Sequence, residues 1–274
     1  MTDTRYSIIG GGTMGTTFGR ALIANNLAAP EDITFAEVDA GRRTTLSDST
    51  GAKVTERADE AVAGTSVVFM AVKPQDFPSV GNVLQGLILP EQLVVSIMAG
   101  VSIQNLRDHL GHRSVVRAMP NTPAQIGQGI TVWTAPEEVN EAQRSAVQTL
   151  LATMGREVYV TDERQIDLAT AVSGSGPGFV FLLLEALVDG AVQIGMRREL
   201  ASELVYQTVL GSAAYALESE LHTSELRNMV TSPGGTTAAG LYAMEEAGMR
   251  SGAINAILAA YQRTLELSGE ERGT

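Results

Sequence analysis

Apolar and polar positions divide the chain into two parts with different patterns. Up to about residue 160, short runs rich in Val and Ile alternate with segments whose apolar residues recur at helical spacing. Such continuous apolar runs are typical of parallel strands that are buried on both faces. They predict strands at Tyr6–Ile9, Ile33–Val38, Ala52–Thr55, Val67–Val72, Leu93–Ile97, Val115–Met119 and Glu157–Val160.

Helices are predicted between these strands, among them Thr13–Asn26, Ile103–Leu110 and Glu137–Met154. A regular alternation of strand and helix indicates an α/β fold with a doubly wound sheet. We expect the last predicted strand to lie at an edge of that sheet.

The pattern changes near residue 162, where long stretches rich in Ala, Leu and Glu replace the strands. They predict a second, all-α part, and no segment with the composition of a flexible linker separates the two. We therefore expect two directly packed domains, 1–161 and 162–274. The predicted helices are Ile166–Val172, Val180–Ile194, Leu200–Glu218, Ser224–Val230, Ala238–Ala247 and Ser251–Leu267.

The helix predicted after Pro177 begins with an apolar run, Phe179–Leu184. A helix that is apolar on every side has to be covered on every side. A helical part of this size is too small to surround it alone. We therefore expect a second copy of the chain to cover it, which makes the protein a homodimer.

Two segments rich in Gly, Pro and hydroxyl residues interrupt the helical half, Ser173–Gly178 and Ser232–Thr237. Each is predicted to be a break directly before a new helix. The first N–H groups of a helix have no intrahelical partner and attract anions, so either segment could bind one. Thr237 could donate a hydrogen bond to a ligand, or it could cap the helix that follows.

A glycine-rich loop follows the first predicted strand and opens the first helix, with Gly10, Gly12 and Gly15 in the pattern G-x-G-x-x-G. The first glycine allows the tight turn, the second lets a pyrophosphate approach the backbone, and the third lets helix and strand pack closely. This loop and the strand–helix alternation predict a Rossmann-type dinucleotide-binding domain.

The end of the second strand should select the dinucleotide. An acidic residue there binds the ribose 2′-hydroxyl of NADH, whereas Arg accommodates the 2′-phosphate of NADPH. The chain offers Glu37 and Asp39, then Arg42 and Arg43. The two arginines incline us to NADPH, and NADH remains the alternative.

Two further loops follow strands whose carboxyl ends should face the dinucleotide. Lys73, before Pro74, could face the cofactor or be an ordinary solvated lysine. Asn121 could bind the nicotinamide carboxamide or stabilise its own turn.

Composition excludes several classes of function. The net charge of -12 argues against a nucleic-acid surface, which needs clustered Lys and Arg. The absence of Cys rules out disulfides and thiolate nucleophiles. The first residues resemble no secretory leader, and no apolar run approaches the roughly 20 residues of a membrane span, so we expect a cytoplasmic protein without a membrane partner.

Other candidate residues support no site. His109 and His112 could share one helix face, but no third metal ligand is near and Gly111 should end that helix, so we expect no metal. Trp133 is expected in the core on a late strand.

Three strings, Val116–Ala124, Ser173–Pro177 and Met229–Thr237, together with the glycine loop, resemble the pyrroline-5-carboxylate reductases. The resemblance spans nearly the whole chain. It implies a Rossmann domain followed by an all-α dimerisation domain, in a dimer or a ring of dimers such as a decamer. It also implies reduction of the cyclic imine 1-pyrroline-5-carboxylate to L-proline with NADPH or NADH, the last step of proline biosynthesis.

The resemblance also implies site residues. Thr237 matches a hydroxyl near the substrate nitrogen and is the catalytic candidate, while Ala58 stands where many members have an Asn that contacts the cofactor. The substrate-binding candidates are Ser232, Gly234, Gly235, Thr236, Glu220 and Ser175. The cofactor-binding candidates are Gly10, Gly12, Thr13, Met14, Gly15, Glu37, Arg42, Val72, Lys73, Pro74, Met119 and Asn121.

Imine reduction suits these residues, because a protonated C=N accepts hydride readily once the ring is held in place. One alternative is a related reductase of another imino or hydroxy acid. Hydroxy-acid enzymes of this architecture usually use a Lys of the helical domain as general acid, and no Lys follows Lys73. A second alternative is a non-catalytic dinucleotide-binding module, which would not need a substrate-shaped loop at Ser232–Thr237.

Overall fold

The computed structural model describes residues 4–268, and its first part is built around one eight-stranded sheet. The strand order is β3-β2-β1-β4-β5-β6-β7-β8. Five neighbouring pairs from β3 to β6 are parallel, β7 runs antiparallel to β6, and β8 is parallel to β7. The strands are β1 Tyr6–Ile9, β2 Ile33–Ala36, β3 Lys53–Thr55, β4 Val67–Met70, β5 Leu93–Ser96, β6 Val115–Met119, β7 Gly129–Thr134 and β8 Gly155–Tyr159.

This order confirms the doubly wound α/β sheet. The chain moves outward from β1 to β3, returns to β4 on the other side of β1, and continues to β6, which leaves a crevice beyond the carboxyl ends of β1 and β4. All seven predicted strands are present, and β8 ends the sheet as expected. One further strand, β7, was not predicted. It carries Trp133, which is buried in the core as expected.

Successive strand residues point to opposite faces of the sheet, and in β1, β4 and β5 all of them are buried. Both faces therefore need to be covered, and helices cover them. Ile8 and Phe69 pack with Phe18 in one apolar cluster, and the rings of Phe18 and Phe69 stack 3.6 Å apart. Ile9 and Val68 belong to a second cluster. The helices are α1 Thr13–Ala24, α2 Ala40–Thr50, α3 Ala58–Val62, α4 Phe77–Leu84, α5 Ile103–Leu110 and α6 Glu141–Ala152.

The chain after the sheet is helical, and residues 162–268 contain no strand. All six helices predicted there are present, and each begins slightly earlier than expected. They are α7 Arg164–Ala169, α8 Gly176–Gln193, α9 Arg198–Glu218, α10 Thr223–Met229, α11 Thr236–Glu246 and α12 Met249–Ser268.

Two compact units divide the chain. Among the described residues, one unit contains the sheet and extends to Ser175, with residues 260–268 added to it, and the other is Gly176–Ala259. Helix α7 thus packs with the sheet unit. The domain boundary at 161/162 stays a prediction.

The segment Ser173–Gly178 interrupts the regular α-helix, but it does not form the open helix start that was predicted. Residues Thr170–Gly174 form a π-helical turn, and the helix runs on from Arg164 to Gln193. The N–H of Ser175 donates to the carbonyl of Thr170 at 2.9 Å, one residue further back than in an α-helix. Because Pro177 has no N–H to donate, a widened turn just before it accommodates the proline without ending the helix.

The helix from Arg164 to Gln193 also corrects the expectation that no apolar segment approaches the length of a membrane span. Arg164–Gln193 contains an 18-residue window with a mean hydropathy of 1.6, so its length and composition would allow it to cross a membrane. One such helix is weak evidence, because core and interface helices of other proteins have the same composition.

Candidate functional site

The glycine loop lies between β1 and α1, at the carboxyl end of the sheet. Gly10 has a φ of +104°, and a Cβ there would lie 2.6 Å from the carbonyl oxygen of Ala71. A Cβ on Gly15 would lie 2.0 Å from the carbonyl oxygen of Gly10, whereas one on Gly12 would meet no atom within 4 Å. Gly10 and Gly15 are thus required for the turn, and Gly12 leaves an open approach to the backbone.

Helix α1 begins without a side-chain cap. Gly12 is its N-cap residue, Thr13 is the first helical residue and is exposed, and Met14 packs against the core beneath. The first N–H groups of α1 therefore point outward without a partner from the helix itself. Together with the open face at Gly12, this arrangement can receive a phosphate group.

Charged residues follow β2 in two different environments. Glu37 is only 5% exposed, and its carboxylate accepts the N–H groups of Gly11 at 3.0 Å and Asp39 at 2.9 Å. Arg42 lies beside it, with 3.7 Å between Nη1 and Oε2 of Glu37. Arg43 instead donates to the carbonyl oxygens of Glu37 and Val38, at 3.0 and 2.7 Å.

A cleft of about 340 Å³ opens along the start of α1 and the side of α2. Its lining combines free helix-terminal backbone with cations and hydroxyl groups, which suits an anionic ligand. The residues include Gly12, Thr13, Thr16, Arg20, Arg42 and Gln125.

The ends of β4 and β6 place the remaining cofactor candidates. The backbone N of Val72 would lie 2.9 Å from a Cβ on Gly10, so the loop after β4 passes directly beside the glycine loop. Lys73 is exposed, and Pro74 begins a short 3-10 turn. These three residues and the glycine loop therefore come together at one edge of the sheet.

At the end of β6, Met119 is buried and Asn121 is the N-cap residue of the 3-10 turn Thr122–Ile126. The side-chain oxygen of Asn121 accepts the N–H of Ile130 at 3.0 Å, so it holds the start of β7. The amide group of Asn121 therefore has a structural task in its loop, and its NH₂ is the part that a ligand could use.

Sequence reasoning missed one feature of this region, the charge of Arg117 inside β6. Arg117 is 2% exposed and donates to Asp167 at 2.6 Å and to Glu163 at 2.9 Å. Glu163 also accepts the N–H of Ile103, the first residue of α5. An Arg in the middle of an apolar strand was the signal, since a buried charge needs a partner.

The Ser232–Thr237 segment, in the second unit, forms a turn that opens α11. The N–H of Gly235 donates to the carbonyl of Ser232 at 3.0 Å, and Gly234 has a φ of +70°. Gly235 is the N-cap residue, and no side chain caps the helix. The alternative that Thr237 is the cap is therefore wrong.

Thr236 and Thr237 are the first two residues of α11, and both are exposed. Their N–H groups have no partner within the helix, as at any helix start. Glu220 is also exposed, in the loop between α9 and α10. Ser175, in the sheet unit, donates its hydroxyl to the carbonyl of Thr170 at 3.1 Å.

The two histidines that suggested a metal each bind backbone. Nδ1 of His109 lies 3.0 Å from the carbonyl of Asn105 in its own helix, and Nε2 of the buried His112 lies 2.8 Å from the carbonyl of Gln92. Burial lowers the pKa of His112. Within residues 4–268, no group of three or more His, Asp or Glu is arranged to hold a metal ion.

Comparison with known proteins assigns this arrangement to a family. A family model described as pyrroline-5-carboxylate reductase dimerisation matches residues 163–267. The pyrroline-5-carboxylate reductase of Synechocystis is 41% identical over 96% of this chain and 98% of its own length. The chain belongs to the pyrroline-5-carboxylate reductase family. The enzyme of that name from Pseudomonas aeruginosa is 40% identical over 98% of both chains.

Solved structures of pyrroline-5-carboxylate reductases have the same architecture. The Plasmodium falciparum enzyme, solved with NADP bound, superposes with a TM-score of 0.90 at 29% identity, covering 98% of this chain and 99% of its own. The Coxiella burnetii enzyme gives 0.83 at 35% identity, covering 97% and 99%. A second family model, described as NADP oxidoreductase, coenzyme F420-dependent, matches residues 5–100, which include the glycine loop.

Proposed function

We propose that this protein reduces 1-pyrroline-5-carboxylate to L-proline with hydride from NADPH, with NADH as the alternative donor. One observation carries the proposal: relatives named pyrroline-5-carboxylate reductase, from bacteria, plants and an archaeon, are 35% to 41% identical over at least 95% of this chain. Likeness over that length covers both the glycine loop and the Ser232–Thr237 segment.

The residues at the carboxyl end of the sheet fit a dinucleotide. Gly10 and Gly15 allow the tight turn, Gly12 leaves the approach open, and the N–H groups of Thr13 and Met14 at the helix start could receive a pyrophosphate. When bound, the cofactor supplies the hydride. We assign Arg42 to its adenosine half, with Glu37 beside it holding the loop backbone, and Val72, Lys73, Pro74, Met119 and Asn121 to its nicotinamide half.

We assign the substrate to the turn at the start of α11. Gly234 and Gly235 keep the backbone accessible, and the free N–H groups of a helix start favour a carboxylate. Ser232 and Thr236 contribute hydroxyl groups to the same turn. Glu220 and Ser175 are further substrate candidates on the strength of the family resemblance alone.

The hydroxyl of Thr237 orients the substrate nitrogen. A protonated imine already carries the positive charge that hydride transfer neutralises, so the protein mainly has to hold the ring in place. Thr237 is exposed, and no acidic or basic side chain is hydrogen-bonded to it among the described residues. We therefore assign it the role of a hydrogen-bond donor, with the proton on nitrogen coming from solvent.

We also propose that the helical part, 162–274, forms a homodimer, and that dimers assemble further into a ring such as a decamer. The family model for dimerisation begins at residue 163, which supports the domain boundary at 161/162. Large apolar side chains on α8 are exposed in the single chain, with Phe181 at 61% and Leu182 at 67%. A partner subunit that covers these side chains would explain the apolar helix without a membrane. We further propose that the protein is cytoplasmic and binds no nucleic acid.

The decisive experiment follows NADPH oxidation by absorbance with 1-pyrroline-5-carboxylate, with a simple keto acid and with no substrate. The proposal requires oxidation that depends on the imine. A folded protein that oxidises NADPH only with the keto acid would show it to be a reductase of another acid. Light scattering on the same sample tests the oligomer, and a stable active monomer would contradict the dimer.

A further inference from the structure

The acidic and basic residues after β2 leave the choice of dinucleotide open in the sequence, and the structure gives them different tasks. We propose that Glu37 is a positioning residue that fixes the glycine loop, and that Arg42 selects a dinucleotide with a 2′-phosphate. The inference rests on the proposed function, because it assumes that the dinucleotide lies along the glycine loop.

Glu37 is held by the protein itself. Its two carboxylate oxygens accept one backbone N–H each, Oε2 from Gly11 and Oε1 from Asp39. It is 5% exposed, and a Cβ on Gly11 would lie 3.2 Å from Oε2, so the carboxylate lies against the loop backbone. An acid that binds a ribose hydroxyl must present an oxygen to the ligand, and this one is turned to the loop instead.

The cleft beside the loop shows the same division. Among the described residues that line it, Arg42 is present and Glu37 is absent. A ligand in this cleft therefore meets the guanidinium, while the carboxylate behind the loop joins the end of β2 to Gly11. Glu37 in this way fixes the backbone that the pyrophosphate approaches.

Arg42 and Arg43 are adjacent in sequence but not equivalent. Arg43 donates to the carbonyls of Glu37 and Val38 and forms an ion pair with Glu56 at 3.1 Å, so it stabilises the end of β2. Arg42 is 57% exposed, and its guanidinium makes no hydrogen bond within residues 4–268. Only longer contacts restrain it, 3.7 Å to Glu37 and 3.8 Å to Asp39.

A phosphate in the cleft would meet three favourable features. Arg42 offers a planar guanidinium that can bind two phosphate oxygens at once. The start of α1 at Gly12 and Thr13, whose N–H groups we assign to the pyrophosphate, adds the positive end of the helix dipole nearby. Thr45 and Arg20 add a hydroxyl and a second cation to the lining. A ribose 2′-hydroxyl, being neutral, gains little from the two cations.

Fragment binding tests this inference without any reduction reaction. Isothermal titration calorimetry compares 2′,5′-ADP with 5′-AMP, which differ in the 2′-phosphate. The wild-type protein should prefer 2′,5′-ADP, and R42Q should weaken its binding about 10- to 100-fold, the range of a lost charge-assisted contact, while 5′-AMP binding stays nearly unchanged. R20Q, which changes the other cation of the cleft, should retain most of the preference.

Three results would overturn the inference: equal wild-type binding of both fragments, an equal loss of both in R42Q, or loss of the preference in R20Q but not in R42Q. A wild-type protein that prefers 2′,5′-ADP but oxidises no NADPH with the imine would contradict the proposed reaction and leave this inference intact. Imine-dependent oxidation of NADPH without a preference for 2′,5′-ADP would contradict this inference and leave the proposed reaction intact.

A second variant separates the two roles of the acid. E37Q replaces one acceptor oxygen by an NH₂ group that faces a backbone N–H, so it should weaken NADPH and NADH binding alike and keep their ratio. A selective loss of NADH with a gain of NADPH would show instead that Glu37 binds the ribose. Failure of E37Q to fold would support the positioning role, because a carboxylate that only binds the ribose would leave the free protein unchanged. The fragment titrations of the wild type and R42Q would still test the role of Arg42, which is exposed.

Discussion

Arg117 and Asp167 form a buried ion pair, in which Nη2 of the arginine donates to Oδ1 of the aspartate at 2.6 Å. The pair joins β6, at the carboxyl end of which Met119 and Asn121 lie, to α7, which leads into the π-helical turn Thr170–Gly174. A buried pair often contributes little net stability, but removal of one partner leaves a charge without compensation. The pair therefore fixes the position of α7 on the sheet.

We expect Asp167→Asn to lower the free energy of unfolding by about 2–4 kcal/mol, because the buried guanidinium of Arg117 loses its closest counter-charge. Urea denaturation at one fixed protein concentration measures this, since the stability of an oligomer depends on concentration. Glu163→Gln is the matched control. Glu163 is partly exposed, so its variant should lose clearly less, and equal losses would contradict the importance of burial.

Thr237→Ala should lower kcat/KM for the imine about 10- to 1000-fold, the range for a lost positioned donor. Thr237→Ser keeps a hydroxyl at the same place and should retain most of the activity. Because Thr237 is exposed on α11 and caps no helix, neither change should alter the circular dichroism spectrum. Unchanged turnover in the alanine variant would remove Thr237 from the reaction.

The sheet could be predicted because its strands are buried on both faces and leave long apolar runs in the sequence. The π-helical turn could not, because Gly, Ser and Pro at Ser173–Gly178 form the same pattern as a helix break. Only the wider hydrogen bond from Ser175 to Thr170 distinguishes the two. Local composition indicates that a regular α-helix is interrupted there, but it does not indicate whether a loop or a π-helical turn forms.

The site shows the same limit at the level of side chains. The pattern of glycines predicted the turn at Gly10 and the close packing at Gly15, since both depend on the absence of a Cβ. The sequence could not separate Arg42 from Arg43, because their roles depend on which one reaches the carbonyls at the end of β2. Nor could it show that the partners of Arg117 come from a helix far along the chain.

Gly235→Ala should raise the KM for the imine about tenfold, because the new methyl group displaces the hydroxyl of Ser232 from the substrate. A Cβ on Gly235 would lie 2.4 Å from Oγ of Ser232, so the serine hydroxyl has to turn away. The φ of Gly235 is -77°, which alanine adopts freely, so stability should change little.

A double-mutant cycle with Ser232→Ala tests this explanation. If the loss in Gly235→Ala comes from the displaced hydroxyl, adding it to Ser232→Ala should cost nothing further, because the hydroxyl is already gone. Steady-state kinetics of the two single variants and the double variant give the coupling. Strictly additive losses would mean that the new methyl group blocks the substrate directly.

His112 should make the protein less stable in mild acid. Burial lowers its pKa below the 6.5 of a free side chain, and this outweighs the opposite effect of its hydrogen bond to the carbonyl of Gln92, to which Nε2 donates. As the pH falls below about 6.5, the unfolded chain binds a proton that the folded chain does not, and the free energy of unfolding therefore falls. Above that pH the histidine is neutral in both states and this dependence is absent.

His112→Gln keeps an N–H donor for the carbonyl of Gln92 and has no group that titrates in this range. In urea denaturation between pH 8 and pH 5, the wild type should therefore lose stability relative to the variant as the pH falls. The difference should develop below about pH 6.5 and should be constant above pH 7. Parallel stability curves over the whole range would show that His112 is protonated as easily in the folded protein as in the unfolded chain.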